Sequence, residues 1–332
     1  MIKERYSIGD VVEVKPFVPI FSKFNDPSSL FSIVETTQGI FFVKKYYQSQ
    51  IGRAKNDVEK STQYLANTTI QIPQLIRNKD NEYLTEFQGS IFTVSRYIDG
   101  VDLRTEAEVQ MRDNNPEFFP LYSQTNTELK KISKERTVSF EDRYWLFMRN
   151  VNQLETAIKS SQFPSAPRDL EYLEFLKTEV ENNRSEILNF QTKGQILHGD
   201  FLKQNIIRDK NNNFWIVDWE KSDYGFVEVD LMKTITFTLF KPDPERVNLE
   251  VSEIANILTS IQPYLKSSFK DNSASKIFRA YYYFLITNIH SLIRLYVNKV
   301  DVKEQMIRED FNIVRWYKNN LTKLEEEVKK LR

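Results

Sequence analysis

Two short segments carry residue types that could do chemistry together: His198-Gly199-Asp200-Phe201-Leu202-Lys203-Gln204-Asn205, then Ile216-Val217-Asp218-Trp219-Glu220. An aspartate able to accept a hydroxyl proton, an asparagine five residues on, and a second aspartate beyond a short strand form the donor set that phosphoryl transfer uses. Asp200 would take the proton. Asn205 and Asp218 would offer hard oxygens to magnesium, which neutralises charge on a transferring phosphoryl group. The apolar run Phe214 to Val217 predicts a short buried strand that delivers Asp218. The polar run Asp209 to Asn213 predicts a turn, so the two segments form a hairpin that returns Asn205 towards Asp218. Any one of these residues alone would read as a turn acid or a core histidine; the ordered set points to chemistry.

With Gly225 and Asp230-Leu231 following at matching spacing, the set resembles the aminoglycoside phosphotransferase and choline kinase superfamily. That superfamily shares the protein-kinase-like fold and includes the bacterial phosphotransferase enzyme family and coat-protein-type kinases. The resemblance implies an α+β, bilobal protein: a small antiparallel-sheet N-lobe over residues 1–99 that binds nucleotide, and a mainly helical C-lobe over residues 100–332. It implies ATP or GTP as donor, Mg2+ as cofactor and a hydroxyl on a small molecule as acceptor, such as an aminoglycoside, a choline-like amino alcohol or a sugar. Asp200 becomes the catalytic base and Asn205 and Asp218 the metal ligands. Glu220 reaches the metal directly or through water, His198 braces the loop by hydrogen bonding, and Asp230 anchors it from the C-lobe. The alternatives are a protein Ser/Thr kinase of the same fold and a catalytically silent structural or coat protein.

These side chains need elements to position them. Ile33 to Thr36, a Thr37-Gln38-Gly39 turn and Ile40 to Tyr46 predict a β-hairpin. The resemblance makes its closing lysine the one that holds the α- and β-phosphates. Strand side chains alternate, so only one of Lys44 and Lys45 can enter the cleft; Lys44 is preferred, because the other choice would bury it unpaired in the core. Residues 52–67 predict a helix whose Glu59 orients Lys44, with Asp57 and Glu35 as further candidates. Residues 6–14, 72–76 and 90–95 predict strands that complete a five-stranded sheet. Arg96-Tyr97-Ile98-Asp99-Gly100 resembles the family's hinge, which implies that the Arg96 carbonyl and the Ile98 amide bind the adenine edge. The stretch Phe21 to Ser29 has no glycine, unlike the family's phosphate loop, and leaves backbone amides at Ser28 and Ser29 to cradle phosphate.

From Val101 onward the pattern is mostly helical, and residues 101–133 and 270–300 are expected to flank the acceptor. Phe278, Tyr282, Leu285, Ile289, Leu292 and Tyr296 form an apolar stripe read as core, with His290 packed within it. The 332 residues carry 46 basic and 46 acidic side chains and no cysteine, which excludes disulfides and thiolate chemistry and argues against a nucleic-acid or membrane partner driven by bulk charge. No signal-peptide pattern and no run near the ~18 apolar residues of a spanning helix is present. A cytoplasmic protein is expected. Gly-x-Gly-x-x-Gly and Walker-type loops are absent. The spacing of Leu321, Leu324, Val328 and Leu331 covers under two heptads and sets no oligomeric state.

Overall fold

The structure, a computed structural model, describes residues 2–17, 30–105, 117–134, 136–239, 249–265, 274–298 and 304–330. The chain packs as two compact units, Met1–Lys134 with Ile196–Asp223, and Glu135–Gln195 with Tyr224–Arg332.

The first unit is built on a five-stranded antiparallel sheet in the order β1-β2-β3-β5-β4, formed by Val11–Pro16, Phe31–Thr36, Gly39–Tyr47, Ser90–Arg96 and Thr85–Phe87 respectively. Alternation along β3 explains its central place. Phe41 and Val43 turn to one face and join Tyr6, Ile8, Val34 and Val94 in a buried cluster, while Lys44 and Tyr46 turn to the other. There Tyr46 packs with Ala54 and Ile91, which docks helix α2, Ile51–Asn67, against the sheet; α1 is the short helix Ile2–Arg5. The register pairs Phe31 with Lys44 on one side and Lys44 with Thr93 on the other. The stretch 72–76, expected as a full strand, makes a single bridge from Leu75 to Ser95. Pro73 has no N–H to give a ladder, and the fifth strand is β4 instead.

A second, three-stranded sheet in the same unit has the order β10-β9-β6, from Phe214–Ile216, Ile206–Asp209 and Gly100–Asp102. It requires Gly100 to be glycine, since a Cβ there would lie 2.3 Å from the Arg208 carbonyl oxygen. The expected β9–β10 hairpin is present: Phe214, Trp215 and Ile216 pair with Arg208, Ile207 and Ile206. Asp209 closes its turn by accepting the amide N–H of Asn211 and of Asn213 at 2.8 and 2.9 Å.

The second unit is mainly helical, with helices at Glu141–Lys159, Ala166–Asn182, Val227–Leu239, Ala274–Ile286 and Glu304–Lys330. Strands β7, Arg136–Ser139, and β8, Gln191–Leu197, pair antiparallel, Arg136 opposite Gly194. Two of its buried acids are held by tyrosines: Asp169 accepts the Tyr296 hydroxyl at 2.7 Å, and Glu179 accepts from Tyr282 and also from Lys318. The aromatic stripe is core, with Phe278 and Tyr282 buried, but its helix stops at Ile286. His290, expected to pack, is exposed where the chain turns helical again. Among the described residues no helix is long and apolar enough to cross a membrane.

Candidate active site

The two candidate segments are each shaped by a residue with positive φ. Gly199 (φ +78°) stands where a Cβ would come within 2.3 Å of the Lys221 carbonyl oxygen, so only glycine lets the two backbones approach this closely. Asp218 adopts the left-handed region, φ 67° and ψ 60°, which costs a non-glycine residue on the order of 1 kcal/mol. That kink ends β10 and starts the single 3-10 turn Trp219–Lys221. Trp219 anchors the turn: its indole N–H donates to the Ile216 carbonyl at 3.1 Å, and its ring packs against Tyr64 and His198 at 4.9 and 4.4 Å.

Around Asp200 the partners are near in sequence. The backbone N–H of Asp200 donates to His198 Nδ1 at 3.2 Å, so the ring proton sits on Nε2, which donates to the Val217 carbonyl at 3.1 Å. His198 therefore ties the loop that carries Asp200 to the strand before Asp218. Asn205 Nδ2 donates to the Asp200 carbonyl at 2.9 Å, which turns its Oδ1 away as a possible ligand atom. The Asp200 side chain is buried and its Oδ2 accepts Lys221 Nζ at 2.6 Å. Burial by itself would lower the Lys221 pKa; attraction to and hydrogen bonding with Asp200 outweigh it and hold the ammonium above the ordinary lysine range.

Lys44 lies at the centre of a second cluster. Its ammonium donates to Asp218 Oδ1 at 2.7 Å and to Glu220 Oε2 at 3.3 Å, with Asp57 Oδ2 at 3.6 Å. Burial works against this charge, yet the surrounding carboxylates, Asp218 foremost, raise the Lys44 pKa well above its ordinary value. Asp218 is also penalised by burial, but Lys44 carries its pKa below the usual carboxylate range. Glu220 goes the other way: burial is the largest influence and leaves its pKa raised, despite Lys44 and Arg53 beside it. Asp57 is fixed in turn, accepting the Tyr46 hydroxyl at 2.7 Å and the Trp219 N–H at 3.0 Å. Asn56 joins α2 to the same turn, donating to the carbonyls of Glu220 and Ser222 at 3.0 Å each.

The structure brings Lys44, Asp200, Asn205, Asp218, Glu220 and His198 into one compact unit. It corrects the helix acid. Glu59 is exposed and pairs with Lys60, while Asp57 takes the place beside Lys44. At ~100° per residue, Asp57 falls on the buried stripe Ala54-Ser61-Tyr64 and Glu59 lies roughly 200° round the helix from Asp57. That spacing was the available signal. Lys221 had none, since an isolated lysine after an acidic pair carries no pattern. Arg96 ends β5, its N–H donating to the Gln74 carbonyl at 2.9 Å and its guanidinium covering Phe41; Ile98 follows just before β6. Ser28 and Ser29 lie outside the described residues. Asp230 is buried in the helix Val227–Leu239 of the other unit.

Asp218 and Glu220 carboxylates with the Asn205 amide are hard oxygen donors, a set that suits magnesium. Among the described residues there is no group of three or more His, Cys, Asp or Glu that could hold a metal ion.

The fold is that of kinase-like phosphotransferases. A choline kinase from Streptococcus pneumoniae superimposes with TM-score 0.56 at 15% identity over 95% of this chain and 94% of that one. An aminoglycoside phosphotransferase from Alicyclobacillus acidocaldarius gives TM-score 0.51 at 11% identity over 99% and 97%. A spectinomycin phosphotransferase solved with ADP and spectinomycin gives 0.53 at 13% over 98% and 96%. No curated protein matches the sequence significantly. Residues 30–259 match the model of the phosphotransferase enzyme family, and the chain belongs to that family.

Proposed function

We propose that this phosphotransferase moves the γ-phosphoryl group of ATP, or of GTP, to a hydroxyl of a small molecule drawn from aminoglycosides, choline-like amino alcohols or sugars. The observation that carries the reading is the meeting of Lys44 with Asp218, 174 residues apart, at 2.7 Å. A lysine able to bind phosphate and a carboxylate able to bind metal meet only if the chain folds to put them there.

In the reaction Asp200 accepts a hydrogen bond from the acceptor hydroxyl and takes its proton as the new P–O bond forms. His198 and Asn205 hold the loop so that this carboxylate does not swing away. Lys44 passes from the carboxylates to the α- and β-phosphates, and Asp57 remains to orient it. Asn205, Asp218 and Glu220 would hold Mg2+, which supplies charge neutralisation on the phosphate oxygens when bound. The Arg96 carbonyl and the Ile98 amide are proposed for the adenine edge, Ser28 and Ser29 for phosphate, and Asp230 for bracing the loop. The lobes are proposed as residues 1–99 and 100–332, and the cytoplasm as the place of action.

A protein acceptor is disfavoured, since between Asp218 and the helix beginning at Val227 the chain makes only one turn and the strand Asp223–Gly225. Two measurements test the proposal. ATP with magnesium should raise the melting temperature, because a ligand that binds only the folded state stabilises it. A screen of hydroxylated acceptors for ADP release should find turnover. Nucleotide binding with no turnover of any acceptor would leave the silent structural reading in its place.

A further inference from the structure

Helix α2 grips the backbone of the turn that follows Asp218. Asp57 accepts the Trp219 N–H at 3.0 Å. Both protons of Asn56 Nδ2 go to the same turn, one to the Glu220 carbonyl and one to the Ser222 carbonyl, each at 3.0 Å. Between them the Lys221 carbonyl lies against Gly199, and the Ser222 N–H donates back to the Trp219 carbonyl at 2.9 Å. Further along α2 the Tyr64 hydroxyl meets Ser222 Oγ at 2.8 Å, and that oxygen donates to the Leu197 carbonyl. A single 3-10 turn cannot satisfy its own last carbonyls, so the two bonds from Asn56 fix the direction of two of its peptide groups.

Resting on the phosphotransferase reading, we infer that Asn56 is a positioning residue for magnesium, acting through the backbone of the turn to keep the Asp218 and Glu220 carboxylates together. The physical reason lies in Asp218. Its left-handed backbone, φ 67°, is strained for a residue with a side chain, and such strain persists only where the surroundings over-determine it. The turn supplies that constraint, and Asn56 holds it at the residue that carries the second carboxylate. Without those bonds the peptide after Glu220 is released to rotate, and less opposes relaxation of Asp218. Magnesium demands near-ideal octahedral geometry, so a small parting of the carboxylates weakens the ion. Lys44 keeps its partner Asp57, so nucleotide binding without metal is spared.

The test titrates Mn2+, a paramagnetic stand-in for magnesium, into protein saturated with ADP and reads the free ion by electron paramagnetic resonance. Asn56→Ala should weaken Mn2+ binding by ~10-fold or more, the scale of loss when a group that orients a metal ligand is removed. Alanine favours helix, so that loss does not arise in α2 itself. ADP affinity in EDTA should match wild type, and in turnover the magnesium requirement should rise while kcat at saturating magnesium recovers. Tyr64→Phe removes a buried hydrogen bond from the same interface but none to the Glu220 backbone; it should lower the melting temperature and leave Mn2+ affinity unchanged. Asn56→Gln, with both donors one methylene further out, should fall between Asn56→Ala and wild type, and is read in its place if Asn56→Ala does not fold. Wild-type Mn2+ affinity in the folded Asn56 variants, or an equal loss in Tyr64→Phe, would overturn the inference. Wild type that binds ADP but no Mn2+ overturns it too, and wild type that binds neither takes the phosphotransferase reading down as well.

Discussion

The two halves of the site are held in different ways. Around Asp200 every named partner is close along the chain: His198 two residues away, Asn205 five and Lys221 twenty-one. Around Lys44 the carboxylates of Asp218 and Glu220 come from 174 and 176 residues away. Asp200 is thus held by one loop and the turn that follows, whereas Lys44 depends on strand β3, helix α2 and that turn arriving together. A change at the base should alter chemistry first. A change at the lysine cluster should alter binding and stability together.

The largest expected effect is at the base. Asp200→Asn keeps the shape of the side chain and removes the proposed proton acceptor, so kcat should fall by ~10²–10⁴-fold while calorimetry finds ATP affinity nearly intact. Near wild-type turnover on a verified acceptor would remove Asp200 from the mechanism.

Next is Gly199→Ala, which forces a side chain into φ +78° and against the Lys221 carbonyl 2.3 Å away. A loss of about 2 kcal/mol or more in denaturant unfolding is expected, together with reduced kcat because Asp200 is the adjoining residue. A stable, fully active variant would show that the loop and the turn are not pressed together.

A paired comparison on α2 sharpens the contrast. Asp57→Ala leaves the Tyr46 hydroxyl and the Trp219 N–H without their acceptor, and each such loss costs about 1–3 kcal/mol when buried. Glu59→Ala, at a solvent-facing position, should stay within about 0.5 kcal/mol. Weakened ATP binding should follow Asp57 alone. If Glu59→Ala weakened it instead, the helix would face the other way.

The smallest effect concerns the hairpin turn. The Trp215 indole N–H, followed by Asn213 and Asn211, holds the Asp209 pKa down to about 2. A folded-state pKa below the ordinary value means that this carboxylate favours the fold above the usual Asp range, near ~3.9. The contribution fades as pH falls through about 2. The Trp215 indole proton resonance should titrate with that low midpoint, and a midpoint near ~4 would show that the turn is not held by Asp209.

What the sequence determined by itself was whatever a local pattern could encode. The hairpin through Asp209 to Asn213 and the strand face on which Lys44 sits follow from turn residues and strand alternation, which act over a few positions and need no distant partner. The acid facing Lys44 did not follow in that way. On a helix with several acids, only the sheet decides which direction is inward, and it selected Asp57 by burying Ala54, Ser61 and Tyr64 on the same side. Lys221 depended on tertiary structure still more. Its meeting with Asp200 arises because Gly199 lets two backbone segments touch, and a contact between segments leaves no periodicity in either of them.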